Sequence, residues 1–270
     1  GLKYNQSIFE TDFPLMVNKG NRIESGNLGP FIADAILNEA KILSKGNTHI
    51  ALIPAGMIRG NILPGYKGLQ TTADLFNTLS LGNGNDSIPG YPLSQIFVNS
   101  GELKKIVEVL LLAYQSGASK YVYYSGLRVS YNPKKFLLQQ VQTLEILNNK
   151  GEYTEIDESD NTKLYGLVGN SYLLNFLFLV KEMSLGIINV TPKHLDGIPM
   201  KNISEAVLDF NPLKKGIQER KEWITLINYS KSFQDIDNNG IPNVPITYKD
   251  KVNQVYIFNK VPIEQTIVEN

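Results

Sequence analysis

The 270-residue chain has no cysteine, two histidines and one tryptophan, and its 26 basic residues are balanced by 26 acidic ones. Without cysteine there is no disulfide, thiolate metal site or cysteine nucleophile. With only His49 and His194, a Ser-His-Asp triad or an imidazole-rich metal cluster has too few members to draw on. A two-metal phosphoesterase centre bridges its ions with several His, Asp and Asn ligands, so the chain is not expected to hydrolyse phosphate esters by itself. A formal net charge of zero provides no broad field for a nucleic-acid backbone or an anionic membrane, and nucleic acid is not an expected partner. No apolar run approaches the ~20 residues that span a bilayer. The longest, Leu173 to Val180, contains Asn175 and meets Lys181-Glu182; it predicts a buried helix, and no membrane insertion is expected. A start at Gly1, with neither methionine nor a signal-peptide pattern, predicts that natural sequence precedes it.

What is present is a mixture of helical and strand periodicities. Phe31, Ile32, Ala35, Ile36, Ala40 and Leu43 recur at helical spacing after Asn27, a candidate cap. A buried strand follows at His49 to Ile53, stopped by Pro54 and the Gly56–Gly60 turn. Thr71-Thr72-Ala73-Asp74 predicts the start of a short helix ending near Leu79. Beyond the polar loop Gly82 to Gly90, Tyr91 to Val98 alternates like a strand, and Glu102 to Gln115 predicts an amphipathic helix. Strands are predicted at 121–131, 136–147, 153–156 and 164–168, and helices at 172–184, 203–209 and 216–230. Helices and strands mix without a regular βαβ rhythm, which points to the α+β class with layered mixed sheets.

Several segments invite a chemical reading. His49 opens an apolar strand and His194 lies in a surface loop, so both are read as structural. Gly82-Asn83-Gly84-Asn85-Asp86 lacks the G-x-x-x-x-G-K-[ST] phosphate-loop pattern and leads into a strand, leaving its backbone N–H groups and asparagines as possible ligand contacts. Asp235-Ile236-Asp237-Asn238-Asn239-Gly240 copies the opening of a calcium loop, but Ile246 stands where the bidentate Glu belongs; a tight Asx-rich turn is expected. Tyr121, Tyr123, Tyr124 and Tyr131 are read as core and sheet surface.

The order of short motifs says more than any one of them. Glu24-Ser25-Gly26-Asn27-Leu28 with Ala33-Asp34-Ala35, the strand and turn Ile50 to Gly60, and Gly68 to Leu75 resemble consecutive motifs of the 5′-nucleotidase C-terminal domain. So do Leu79 to Asn83, Asn99 to Lys104, Tyr124-Ser125-Gly126-Leu127-Arg128-Val129 and Tyr165 to Tyr172. The resemblance covers residues 22–172 and implies a single domain over residues 1–270, with residues 173–270 a helical elaboration. The expected fold is a layered α/β/β/α arrangement.

The resemblance also implies a division of labour. An N-terminal domain, absent from this chain, would hold two divalent metals and do the chemistry; this chain would bind no cofactor and deliver a nucleotide or related phosphate ester. Such proteins are periplasmic, at the cell surface or secreted. Site residues carried over are Arg59, whose planar fork suits an anion, and Asn83, with Tyr91 and Tyr172 as candidate aromatic contacts. The pocket departs from the family pattern. Pro54 replaces the asparagine that opens the turn, and Leu81 replaces an aromatic. The Gly-Gly-Asp-Gly-aromatic loop is absent, its place taken by Leu173 to Phe178. Base–aromatic stacking is worth ~1–3 kcal/mol per base, so an altered ligand, or other rings from Tyr91, Tyr172, Phe176 or Phe178, is expected. The competing expectation is a binding or structural domain that kept the fold and lost the pocket.

Overall fold

The computed structural model describes residues 2–115, 117–175 and 189–257. Its centre is a four-stranded sheet of β2 (Ile50–Pro54), β4 (Leu93–Asn99), β5 (Val122–Ser125) and β9 (Leu164–Asn170), in the order β4-β9-β2-β5. β2 runs parallel to β9, while β4 and β5 run antiparallel to their neighbours. Both faces are covered, which is why the β2 sequence is apolar throughout instead of alternating. Ala51 and Ile53 pack into a core on one face, and Ile50 and Leu52 into a second core on the other.

On the first face lies α1 (Leu28–Leu43) beside α4 (Glu222–Lys231). Phe31 of α1 is fully buried in a ring cluster, 4.9 Å from Tyr248 and about 6 Å from Phe9, Tyr229 and Phe233. Gly29 is needed here because a Cβ would stand 2.1 Å from the Tyr123 ring. On the second face pack α3 (Ser100–Gln115) and another four-stranded sheet. Its strands are β6 (Leu127–Tyr131), β7 (Val141–Leu147), β8 (Tyr153–Glu155) and β10 (Val255–Ile257), in the order β10-β6-β7-β8. Leu127, Val129, Val141, Leu144 and Ile146 point inward from β6 and β7. A two-stranded sheet joins β1 (Ser7–Glu10) to β3 (Leu69–Thr71), which leads into α2 (Thr72–Thr78). The α+β class with mixed sheets is therefore what is seen.

Local sequence explains the helix starts. Thr71 and Asp74 form the expected reciprocal cap of α2, with the Thr71 N–H donating to Asp74 at 2.8 Å. Asn99 and Glu102 do the same for α3, each backbone N–H donating to the other's side chain at 2.9 Å. Asn27 differs from expectation. Its side chain makes no cap bond; buried, it accepts from the Met16 N–H at 2.7 Å and donates to the carbonyls of Pro14, Tyr248 and Lys249. It ties three chain segments together.

Four other expectations need correction. Residues 1–26, read as irregular, contain β1, a strand too short to show a period. The strand read as 136–147 begins only at Val141, and residues 133–139 form an exposed turn. Helix 216–230 begins at Glu222, because residues up to Lys221 are drawn into pairing with β4. Segment 203–209 is a 3-10 turn over Ile203–Ala206. The predicted helix 172–184 is helical as far as residue 175, and its remainder lies outside the described residues. Between 189 and 257, then, α4 is the single α-helix described, and the segment works mainly as a clasp. Backbone bridges Pro92–Lys221, Ser94–Val207 and Phe97–Lys193 run along the outer side of β4. At the opposite rim the Asn253 amide accepts from the Tyr124 N–H at 2.9 Å and donates to the Val122 carbonyl at 3.0 Å. It thus stands in for a neighbouring strand on β5.

Candidate ligand-binding site

The parallel neighbours β2 and β9 end where antiparallel β4 begins, with Asn170 opposite Leu93. In open α/β sheets the carboxyl ends of parallel strands are where loops leave a crevice for ligands. The Pro54–Gly60 turn follows β2, Tyr91 and Pro92 precede β4, and Ser171 and Tyr172 follow β9. The Ser171 N–H donates to the Pro92 carbonyl at 3.1 Å, closing β4 and β9 at this end.

Tyr91 and Tyr172, 81 positions apart in sequence, are neighbours here, their ring centroids 5.7 Å apart and tilted by 36°. A flat base inserted between two rings needs about 7 Å, two carbon contact distances of ~3.5 Å. The tyrosines therefore form one wall instead of a slot, and Tyr172 is 51% exposed. Gly82 backs this wall: a Cβ on it would lie 2.4 Å from the Tyr91 ring.

Arg59 is held by its backbone, whose N–H donates to the Thr78 carbonyl at the end of α2 at 2.9 Å. Its side chain is exposed, with one long contact of 3.5 Å from Nη1 to the Gly56 carbonyl. Among the described residues it has no carboxylate partner, so its planar fork is available to an anion. Asn83 is exposed in the loop that leaves α2, and its backbone bridges Pro89. The structure thus brings Tyr91, Tyr172 and the Gly82-Asn83 turn together, with Arg59 joined to that turn through α2. Phe176 and Phe178 lie outside the described residues, whereas Leu173 and Leu174 are buried core.

The glycine-rich loop is not free to cradle a ligand with all its N–H groups. The Asn85 N–H donates to Glu219 Oε1 at 2.9 Å, and Lys221 Nζ lies 2.7 Å from Asp86 Oδ1 and in contact with Glu219. Lys221 is fully buried. Trp223 closes the loop's far end: its indole N–H donates to the Pro89 carbonyl at 2.9 Å, and its ring stands edge-on to Phe76 at 5.5 Å. Sequence reasoning missed Trp223 and Lys221; the only signal was a lone Trp beside a basic pair. Glu222 was missed as well. It is buried beneath Tyr91, donating its backbone N–H to the Tyr91 carbonyl at 3.2 Å. Burial pushes its carboxyl up to about 8.

The remaining candidates have structural explanations. His49 Nδ1 accepts from the Gly166 N–H at 2.9 Å, and burial lowers its pKa. His194 Nε2 lies 3.0 Å from Glu205. Tyr121 and Tyr123 are buried and stack edge-on at 5.1 Å. In the Asp235 turn the carboxylate accepts from the N–H groups of Asn239 and Gly240, the expected Asx-rich arrangement. Among the described residues no group of three or more His, Asp or Glu side chains is placed to hold a metal ion. No described helix is long and apolar enough to cross a membrane.

Residues 9–176, more than half of the chain, match the pattern of the 5′-nucleotidase C-terminal domain. The chain belongs to that family. Its fold is shared by a 5′-nucleotidase precursor of Thermus thermophilus, at TM-score 0.60 and 18% identity, over 95% of this chain and 40% of that one. It is also shared by the NAD nucleotidase of Haemophilus influenzae, at TM-score 0.53 and 18% identity, over 95% of this chain and 37% of that one. A third similar structure is the sulfate thiohydrolase SoxB, also of Thermus thermophilus, at TM-score 0.51 and 13% identity, over 96% of this chain and 36% of that one. The chain thus spans two fifths or less of the length of each of these three proteins. No curated protein matches it by sequence.

Proposed function

We propose that this 5′-nucleotidase C-terminal domain is the substrate-recognition part of a phosphate-ester hydrolase, and that a two-metal domain elsewhere in a longer protein supplies the chemistry. The observation that carries this reading is the Arg59 guanidinium, without a carboxylate partner among the described residues, beside the same sheet end as the Tyr91–Tyr172 wall. A cation and an aromatic face together suit a ligand with an anionic group and a flat or sugar-like body. Because the tyrosines touch, a ring would stack on one side only, forgoing one of two contacts worth ~1–3 kcal/mol each. The ligand is therefore a nucleotide-related phosphate ester held more by its anion than by its base. The domain itself holds no metal; the two divalent ions belong to the partner domain. The protein acts outside the cytoplasm, in the periplasm, at the cell surface or secreted.

The test is thermal stability with AMP, UMP, UDP-sugars and inorganic phosphate. A ligand at 100 times its Kd adds about 2.7 kcal/mol, a shift of several degrees in Tm. Arg59→Ala is expected to abolish the shift without lowering the Tm of the free protein, since the side chain makes one long hydrogen bond. Silence with every compound favours the second reading, a non-catalytic domain that kept the fold. That reading is supported by Pro54 and by the closed gap between the two tyrosine rings.

A further inference from the structure

Phe136, Leu137 and Leu138 have the apolar character of a buried strand, yet they sit on the turn between β6 and β7, 84%, 58% and 37% exposed. The turn is ordered. The Asn132 N–H donates to the Gln140 carbonyl at 2.8 Å, and the Gln139 N–H to the Phe136 carbonyl at 3.0 Å. Its base is fixed by Glu108, whose buried carboxylate accepts from the N–H groups of Gln140 and Val141 at 3.1 and 2.7 Å. Leu138 is held at φ +64°, a left-handed conformation that leucine rarely adopts. A fixed backbone therefore presents three consecutive apolar side chains to water, a pattern that packing does not explain.

The charge around the tip is one-signed. Lys134 and Lys135 flank the apolar residues, no acid occurs from Asn132 to Leu144, and neither lysine has a carboxylate partner among the described residues. We propose that this hairpin tip is a docking site for an anionic lipid surface, with Phe136, Leu137 and Leu138 entering the headgroup boundary and Lys134 and Lys135 meeting lipid phosphates. An apolar apex with cations at its flank is how a peripheral element combines burial with electrostatic attraction. A protein partner would need about 800 Å² on each side, far more than three side chains on one turn supply. Since the whole chain is neutral, the attraction is local, and binding is expected to be weak, reversible and sensitive to salt.

Sedimentation of this chain with vesicles decides the matter. Phosphatidylcholine vesicles containing about 30% phosphatidylglycerol are expected to bind it at least tenfold more tightly than pure phosphatidylcholine at low salt, at roughly fivefold per lysine. Lys134→Gln with Lys135→Gln is expected to erase that preference. Phe136→Ser with Leu137→Ser is expected to reduce binding tenfold or more while leaving Tm unchanged. Phe136→Trp supplies an independent readout, a blue shift in emission on anionic vesicles alone. Equal sedimentation with and without anionic vesicles overturns the proposal, as does undiminished binding by the serine variant. Concentration-dependent dimerisation that the serine variant abolishes, without vesicle binding, also overturns it and assigns the tip to a second copy of the chain.

Discussion

The family-matched part of the chain, residues 9–176, and the clasp, residues 189–257, share the apolar cores but differ in how much charge pairing is added to them. The first is built on continuous ladders and two apolar cores, so its order is set by backbone pairing and burial. The second touches β4 through isolated bridges, sends Leu226, Ile227, Val244 and Tyr248 into the first core and β10 onto β6, and adds cations placed against acids of the first. Lys193 meets Glu102, Arg220 meets Glu39, Lys221 meets Asp86 and Lys251 meets Asp34. Apolar burial is indifferent to pH and only mildly affected by salt, whereas charge pairing depends on both. The molecule thus joins its scaffold to a strap that is anchored by apolar burial and trimmed by condition-sensitive charge pairs, and the strap lies against the candidate site.

The sharpest way to break this contrast is at Lys221. Its ammonium is fully buried, and removing it leaves the Glu219 carboxylate, 3% exposed, without its counter-charge. Lys221→Met is expected to cost about 3–5 kcal/mol in urea unfolding, and adding Glu219→Gln is expected to return much of that. On the scaffold side, Gly29→Ala drives a methyl into the Tyr123 ring and is expected to cost about 3 kcal/mol, independent of salt.

Glu222 gives the contrast a pH dependence. Its folded pKa, about 8, lies above the unfolded value near 4.5, so the folded state holds a proton that the unfolded state releases. Stability from this group is fully present below about pH 4.5, falls as pH rises towards 8, and levels off above it, a loss of the order of a few kcal/mol. Glu222→Gln is expected to remove that slope; denaturant midpoints from about pH 5 to 9 check it. Smaller again is Asn253→Ala, which leaves the Tyr124 N–H and Val122 carbonyl unpaired at about 1–3 kcal/mol. The smallest effect, below about 1 kcal/mol, is expected from Lys104→Ala, whose bridge to Glu158 is exposed.

The legibility of the sequence follows the same divide. Elements whose cause is local were readable: the Thr71–Asp74 cap, the apolar stripe of α1 and the unbroken apolar run of β2. The order of motifs from Glu24 to Tyr172 led to the family. What was not readable depends on residues distant in sequence. The predicted helix 216–230 starts only at Glu222 because Lys221 bridges Pro92, 129 positions away, and nothing near Lys221 announces that partner. Asn27 looked like a helix cap because its sequence neighbours form a helix, while its actual acceptors lie near Tyr248 and Lys249. At the site, Arg59, Asn83, Tyr91 and Tyr172 were named individually. That the two tyrosines touch follows only once β4 and β9 are known to be adjacent. Glu222 and Trp223 carried no motif at all.

The bridges along β4 have a consequence for the molecule's behaviour in a crowded solution. An unguarded outer strand invites another polypeptide to extend the sheet, the first step of many ordered aggregates. Here Leu93 and Phe97 already donate to the carbonyls of Arg220 and Lys193, and the Leu93 carbonyl accepts from Leu208. The strap that frames the site is therefore also a built-in guard against self-templating, so trimming it would endanger solubility before it touched recognition.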